Sequence, residues 1–180
     1  MAIDSFLDFT KATTPCPVKG EAQDKQFPDT FHVKTFTFAV NQKGTAGTGS
    51  GLGAGKAEFD DFEFTIDTQR GSSDLLKHCA KGSHFDKVIL HVRKAGGEHV
   101  EYLRYAFKVC MISSFSTSGD EESTDTVKFN YRAVYTKYIA QTDKGDLAGE
   151  DKSSKGGWDL DANNDFPDGP GFIGDQRATS

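Results

Sequence analysis

Apolar side chains recur at every second position through most of the chain. Phe62, Phe64 and Ile66 alternate with Glu63, Thr65 and Asp67, which is the period of a strand with one buried face. "KVILHVRK" sets Val88, Leu90 and Val92 on one face. In "HVEYLRYAFKVCMISSFS", Leu103, Tyr105, Phe107, Val109 and Met111 point one way. In "TVKFNYRAVYTKYIA", Val127, Phe129, Tyr131, Ala133 and Tyr135 do the same. "FHVKTFTFAVN" is rich in β-branched and aromatic residues and predicts one strand, and a short strand is predicted over Ile3 to Phe9. A further strand is expected from Ala57 to Thr68. Gly96-Gly97 signals a hairpin, and "SGDEESTD" reads as a polar turn.

One stretch breaks this period. In "RGSSDLLKHCAKGSHF", Leu75, Leu76, Cys79 and Ala80 form one helical stripe. Ser72 or Ser73 suits the start, Asp74 suits the positive first turn, and Gly82 suits the left-handed close. A helix over about residues 72–81 is too short to stand alone, so its stripe must lie on a sheet. Many strands and one short helix predict a mainly β fold. The expected architecture is a small antiparallel β-barrel or two-sheet sandwich with that helix on its flank. Phe36, Phe38, Phe62, Phe64 and Phe107 are the expected core.

After Ala140 the pattern stops. Residues 1–140 read as the β domain. Residues 141–164 read as a polar loop and an anchoring segment of the same domain, with Trp158, the one tryptophan, as the anchor. Residues 165–180, ending in "PDGPGFIGDQRATS", read as a flexible tail.

Charge sharpens this division. The net charge is −6. Residues 1–140 hold 18 acidic and 17 basic side chains, whereas residues 141–180 hold 9 and 4. A nearly neutral body with an acidic end lacks the basic stripe that nucleic acid requires. No apolar run approaches the length of a membrane span. The first residues, "MAIDSFLDFTKATTP", lack the basic-then-apolar order of a signal peptide. Cys16, Cys79 and Cys110 are odd in number and widely spaced, which argues against a disulfide framework and for folding in a reducing compartment.

Candidate chemistry is sparse. "GTAGTGSGLGAGK", residues 44–56, looks like a phosphate cradle, but a P-loop ending in Gly55-Lys56 would need glycine where Ser50 stands and a hydroxyl where Ala57 stands. The next segment has strand period, so no helix N-terminus is available for an anion. The run reads instead as a long connection between strands. "HCAKGSH" places His78, Cys79 and His84 near one another, without the second ligand pair that tetrahedral zinc wants. Asp60-Asp61 and Glu121-Glu122 read as solvated charge. "DLDANND" lacks the glycine and glutamate of a calcium loop. No nucleophile elbow is present. No catalytic residue, metal or cofactor is expected.

The order of the pieces carries more than any one motif. "IDSFLDF", "FHVKTFTFAVNQ", "GKAEFDDFEFTIDTQRGSSDLLKHCAKGSHFDKVILHVRK", "EYLRYAFKVCMISSFSTSG", "VKFNYRAVYTKY" and "GGWDLDANN" follow one another over roughly residues 3–164. In this order the chain resembles the haemolysin-coregulated protein (Hcp) family, the tube subunit of bacterial type VI secretion systems. The resemblance implies a homohexameric ring, rings stacked into a hollow tube, and contacts with sheath, spike and baseplate proteins. It also implies effectors carried in the lumen. Assembly would take place in the cytoplasm and export would follow sheath contraction, without a signal peptide or membrane insertion. Within that picture Gly47, Gly49, Gly51, Gly53, Gly55 and Lys56 are expected to form a ring-stacking loop, because glycines allow close backbone approach. A monomeric β-sandwich binding module and a tube protein of a related contractile injection system are the alternatives.

Overall fold

A computed structural model describes residues 3–14, 16–45, 53–95, 100–119, 121–140 and 152–166. These form twelve strands and one helix. The strands are β1 Ile3–Asp8, β2 Phe31–Val33, β3 Thr35–Thr37, β4 Val40–Thr45, β5 Gly53–Phe59, β6 Phe62–Asp67, β7 His84–Lys94, β8 Glu101–Gly119, β9 Ser123–Asn130, β10 Ala133–Ile139, β11 Ser153–Asp159 and β12 Asn164–Asp165. Helix α1 spans Ser72–Lys81, and all strand pairs are antiparallel. The fold is a mainly β sandwich, and among the described residues no ladder closes it into a barrel.

The larger layer has the order β12-β11-β10-β8-β7-β1-β2, and β3-β6-β9 branches from it at β8. Two bends join the layers. Near Lys34 the chain passes from β2, paired with β1, to β3, paired with β6. In the middle of β8, Leu103 to Lys108 pair with β10, whereas Met111 onward pairs with β9. Val109 sits at this corner with φ 50°, an uncommon conformation for a β-branched residue.

That corner shifts the alternation. The periodicity predicts Val109 and Met111 on the face of Phe107, but Cys110 and Ile112 are the buried residues that follow it. The same shift separates β9 from β10. Val127, Phe129 and Tyr131 join the core cluster, and then Val134 does so in place of Ala133 and Tyr135, which are buried on the opposite face. A single extra residue at a bend exchanges the two faces of a strand.

The predicted strand over "FHVKTFTFAVN" is in fact β2, β3 and the start of β4, each with a different partner. The predicted strand from Ala57 to Thr68 is β5 and β6, broken at Asp60-Asp61. The helix forms over the predicted residues. Leu75 enters the core, and Gly82 closes the helix at φ 63° with its N–H on Cys79 O. No side chain caps its start; Ser72 Oγ instead accepts the N–H of Gln69.

Aromatic rings fill the space between the layers. Phe62, Phe64 and Phe107 are fully buried. Phe62 lies 4.8 Å from Phe107 and 5.1 Å from Phe129, centroid to centroid. Phe36 and Phe38 are half-buried and pack against this cluster from its margin. They differ from the expectation because Phe36 lies in β3, a three-residue strand that pairs only with β6 among the described residues, and Phe38 follows just after it, outside any strand.

Candidate assembly surfaces

The glycine run builds part of a hairpin. β4 and β5 form a sheet of their own, with Val40 opposite Phe59, Gln42 opposite Ala57 and Thr45 opposite Gly53. The ladder shifts register between Gln42 and Gly44. Gly53 and Gly55 therefore belong to a strand, where an unpaired loop was expected, and Lys56 is exposed beside them. Gly47, Gly49 and Gly51 lie outside the described residues. The element after Lys56 is strand, followed by strand β6, so this run has no helix N-terminus to hold a phosphate.

The hairpin is fastened at its base. Asp60 N–H donates to Ala39 O at 3.1 Å, and Tyr131 Oη donates to Asp60 O at 3.2 Å. Phe59 meets Tyr131 edge to face at 6.5 Å. Burial and the nearby Asp61 and Asp60 carboxylates push the Tyr131 phenol above its ordinary range, so it stays a donor. Beyond this base, neither strand pairs with the body among the described residues. A two-stranded ribbon alone is at best marginally stable in water.

A second surface is the extension β10-β11-β12. Trp158 stands between Val134 and Asp165 and is half-buried. Leu160, two residues on, packs against the core. Near the other end of β10, Tyr138 is 43% exposed and meets Tyr102 edge to face at 6.2 Å. These rings leave one flank of the larger layer partly open.

The opposite flank is closed by charge. Arg93, only 4% exposed, contacts Asp24 and Asp4 through Nη2 at 2.5 and 3.4 Å. Its guanidinium lies 4.8 Å from the Phe6 ring and 5.7 Å from the Phe27 ring. Phe27 stacks on His91 at 4.5 Å, His91 Nδ1 meets Glu101 at 2.8 Å, and Arg104 grips Glu101 with two nitrogens at 2.7 and 2.6 Å. Burial would raise the Glu101 pKa, but hydrogen bonds from Arg104 and His91 outweigh it and hold the group at about 2. This chain of contacts straps residues 24–27 over β7. Sequence reasoning missed it, because Asp24 and Arg93 are 69 positions apart.

The other candidate residues do not converge. His78 packs edge to face on Phe85, where burial, helped by Lys81, lowers its pKa. His84 is exposed at the start of β7. Burial pushes the Cys110 thiol well up, away from the reactive thiolate. Asp61 accepts from Ser113 and Asp60 from Asn41, while Glu122 lies 3.7 Å from Lys34. Asp159, first in "DLDANND" apart from its neighbours, accepts the N–H groups of Asp161 and Ala162 and so closes its own turn. Among the described residues no group of three metal-ligating side chains forms. A shallow polar depression lined by Gly20, Glu21, Ala22, Gln23, Asp29 and Arg70 holds no histidine or cysteine.

A family model described as "Type VI secretion system effector, Hcp" matches residues 6–138. Protein hcp1 of Pseudomonas aeruginosa is 34% identical over 167 residues, which take in 91% of this chain and 98% of that protein. The crystal structure of Hcp1 from Salmonella typhimurium superposes with a TM-score of 0.71 at 25% identity, over 92% of this chain and all of that one. A structure titled as a type six secretion system protein gives a TM-score of 0.82 at 24% identity, again over 92% of this chain and all of that one, which is a likeness of fold.

Proposed function

The chain belongs to the Hcp family of type VI secretion proteins, and from that membership we propose that it is a structural tube subunit that assembles with copies of itself. Six copies close a ring, rings stack into a hollow tube, and contraction of a surrounding sheath drives the tube outward. Effectors travel in the lumen. Spike and baseplate proteins meet the tube end.

The observation that carries this reading is the β4–β5 hairpin, which is held at its base and paired with no strand of its own body among the described residues. Such a ribbon gains stability when it lies on another surface. A second copy supplies that surface in every ring of a stack. Backbone at Gly53 and Gly55 lets the neighbour approach closely, and Lys56 stands beside them. Residues 46–52 complete the connection. The half-exposed rings Tyr138, Tyr102 and Phe38 supply apolar area for the contact within a ring, which must be heterologous to close.

Export by this route needs no cleaved leader and no membrane helix. Among the described residues no helix is long and apolar enough to cross a membrane. Light scattering tests the reading. A ring has six times the 19.6 kDa chain mass, and a species of single-chain mass at all concentrations contradicts it.

A further inference from the structure

Both legs of the β4–β5 hairpin converge on one side chain. On the entering leg, the Phe38 ring lies 6.4 Å from Tyr131; on the leaving leg, Phe59 meets Tyr131 at 6.5 Å. The Tyr131 hydroxyl donates to the carbonyl of Asp60, the first residue after β5. Tyr131 is itself held firmly. It is 6% exposed, its ring stands 4.9 Å from Phe107, and it lies in the short link between β9 and β10.

The next residue is held from another side. Asp61 Oδ2 accepts from Ser113 Oγ. Ser113 sits at the register shift of β8, between Ile112 and Ser114, and such a bulge re-aims a side chain. Phe62, which follows, is fully buried. Asp60-Asp61, expected as solvated charge, is exposed and also forms the joint between hairpin and body.

Direction matters for a ribbon that docks. A hairpin free to swing loses that freedom when it binds, and fixing it beforehand removes the cost. One ring against both legs and two hydroxyls on the joint fix the direction before any second copy arrives.

We infer that Tyr131, helped by Ser113, is the positioning residue that aims the β4–β5 hairpin at a second copy of this chain. Being buried, Tyr131 acts through the hairpin. The partner rests on the tube-subunit reading; the aiming is a property of the single chain.

Tyr131→Phe keeps the ring and removes its hydroxyl, Ser113→Ala removes the second hold, and the double variant removes both. Amide hydrogen exchange on unstacked protein compares β4–β5 with β9, and microscopy finds the concentration at which tubes form. The expected result is at least fivefold faster exchange in β4–β5 of the double variant, β9 unchanged, and at least fivefold more protein needed for tubes. Ser113→Thr, which keeps a hydroxyl, should match the unaltered chain. Unchanged β4–β5 exchange in the double variant overturns the inference. Equal acceleration in β9 also overturns it, because Tyr131 would then be a plain core residue. Faster hairpin exchange with unaltered tube formation overturns it as well. Unaltered protein that never assembles overturns the tube reading and the partner with it, while the exchange data still decide the aiming.

Discussion

Arg93 Nη2 lies 2.5 Å from Asp24 Oδ2, and both groups are mostly withdrawn from water: side-chain exposures are 5% and 20%. The pair joins β7 to a loop 69 positions away in sequence. A buried pair adds little net stability as a whole, but breaking it strands a charge. Arg93→Ala or Asp24→Ala is therefore expected to cost about 3–5 kcal/mol. Replacing both by apolar residues of similar size should cost much less. Chemical denaturation of the two single variants and the double variant checks this, and additive losses would contradict it.

Acid should loosen the same flank. The folded pKa of Glu101 is depressed from 4.5 to about 2. A depressed carboxylate contributes stability that is fully present above its unfolded pKa and is lost as pH falls toward the folded value. The window is thus between about pH 4.5 and 2, and the loss is on the order of 3 kcal/mol. The Asp24 pKa is also lowered, chiefly by the hydrogen bond from Arg93, so it adds to the loss in the same direction. Glu101→Gln should be less stable at neutral pH and show a flatter pH profile. An unchanged profile in this variant would contradict the assignment.

Core phenylalanines should separate into two classes. Phe62, Phe64 and Phe107 are fully enclosed, so each change to Ala is expected to cost about 3–5 kcal/mol. Phe36, in the edge strand β3, and Phe38, just after it, are half-buried. Their truncation should cost less than half as much in the isolated chain. Thermal melts of dilute protein measure both classes, and equal losses would refute the distinction.

The hairpin should respond to stacking. Amides of the β4–β5 ladder, Gln42 and Ala57 among them, should exchange more slowly in stacked tubes than in single rings, by about tenfold or more. That ratio corresponds to roughly 1.4 kcal/mol of added local protection. Equal exchange in the two forms would remove the hairpin from the stacking contact.

The period-two alternation of β6 and β7 and the single helix were legible in the sequence, because each is a local pattern. The bends were not. A strand that crosses from one layer to the other keeps its apolar period on both sides of the corner, so the shift at Val109 leaves no trace in composition. The breaks at Lys34 and Asp60-Asp61 were hidden in the same way, since flanking residues still favour strand. The second half of the glycine run pairs as strand β5 where a loop was expected. The Arg93 network joins residues from four separate segments, β1, the loop at 24–27, β7 and β8, and only the folded chain brings them together.

Mass measurement by light scattering, over a range of concentrations, tests the central claim most directly. A tube subunit predicts a discrete species of six times the 19.6 kDa chain, with longer stacks growing from it as concentration rises. Single chains that persist throughout the range, with no ring, would contradict the account.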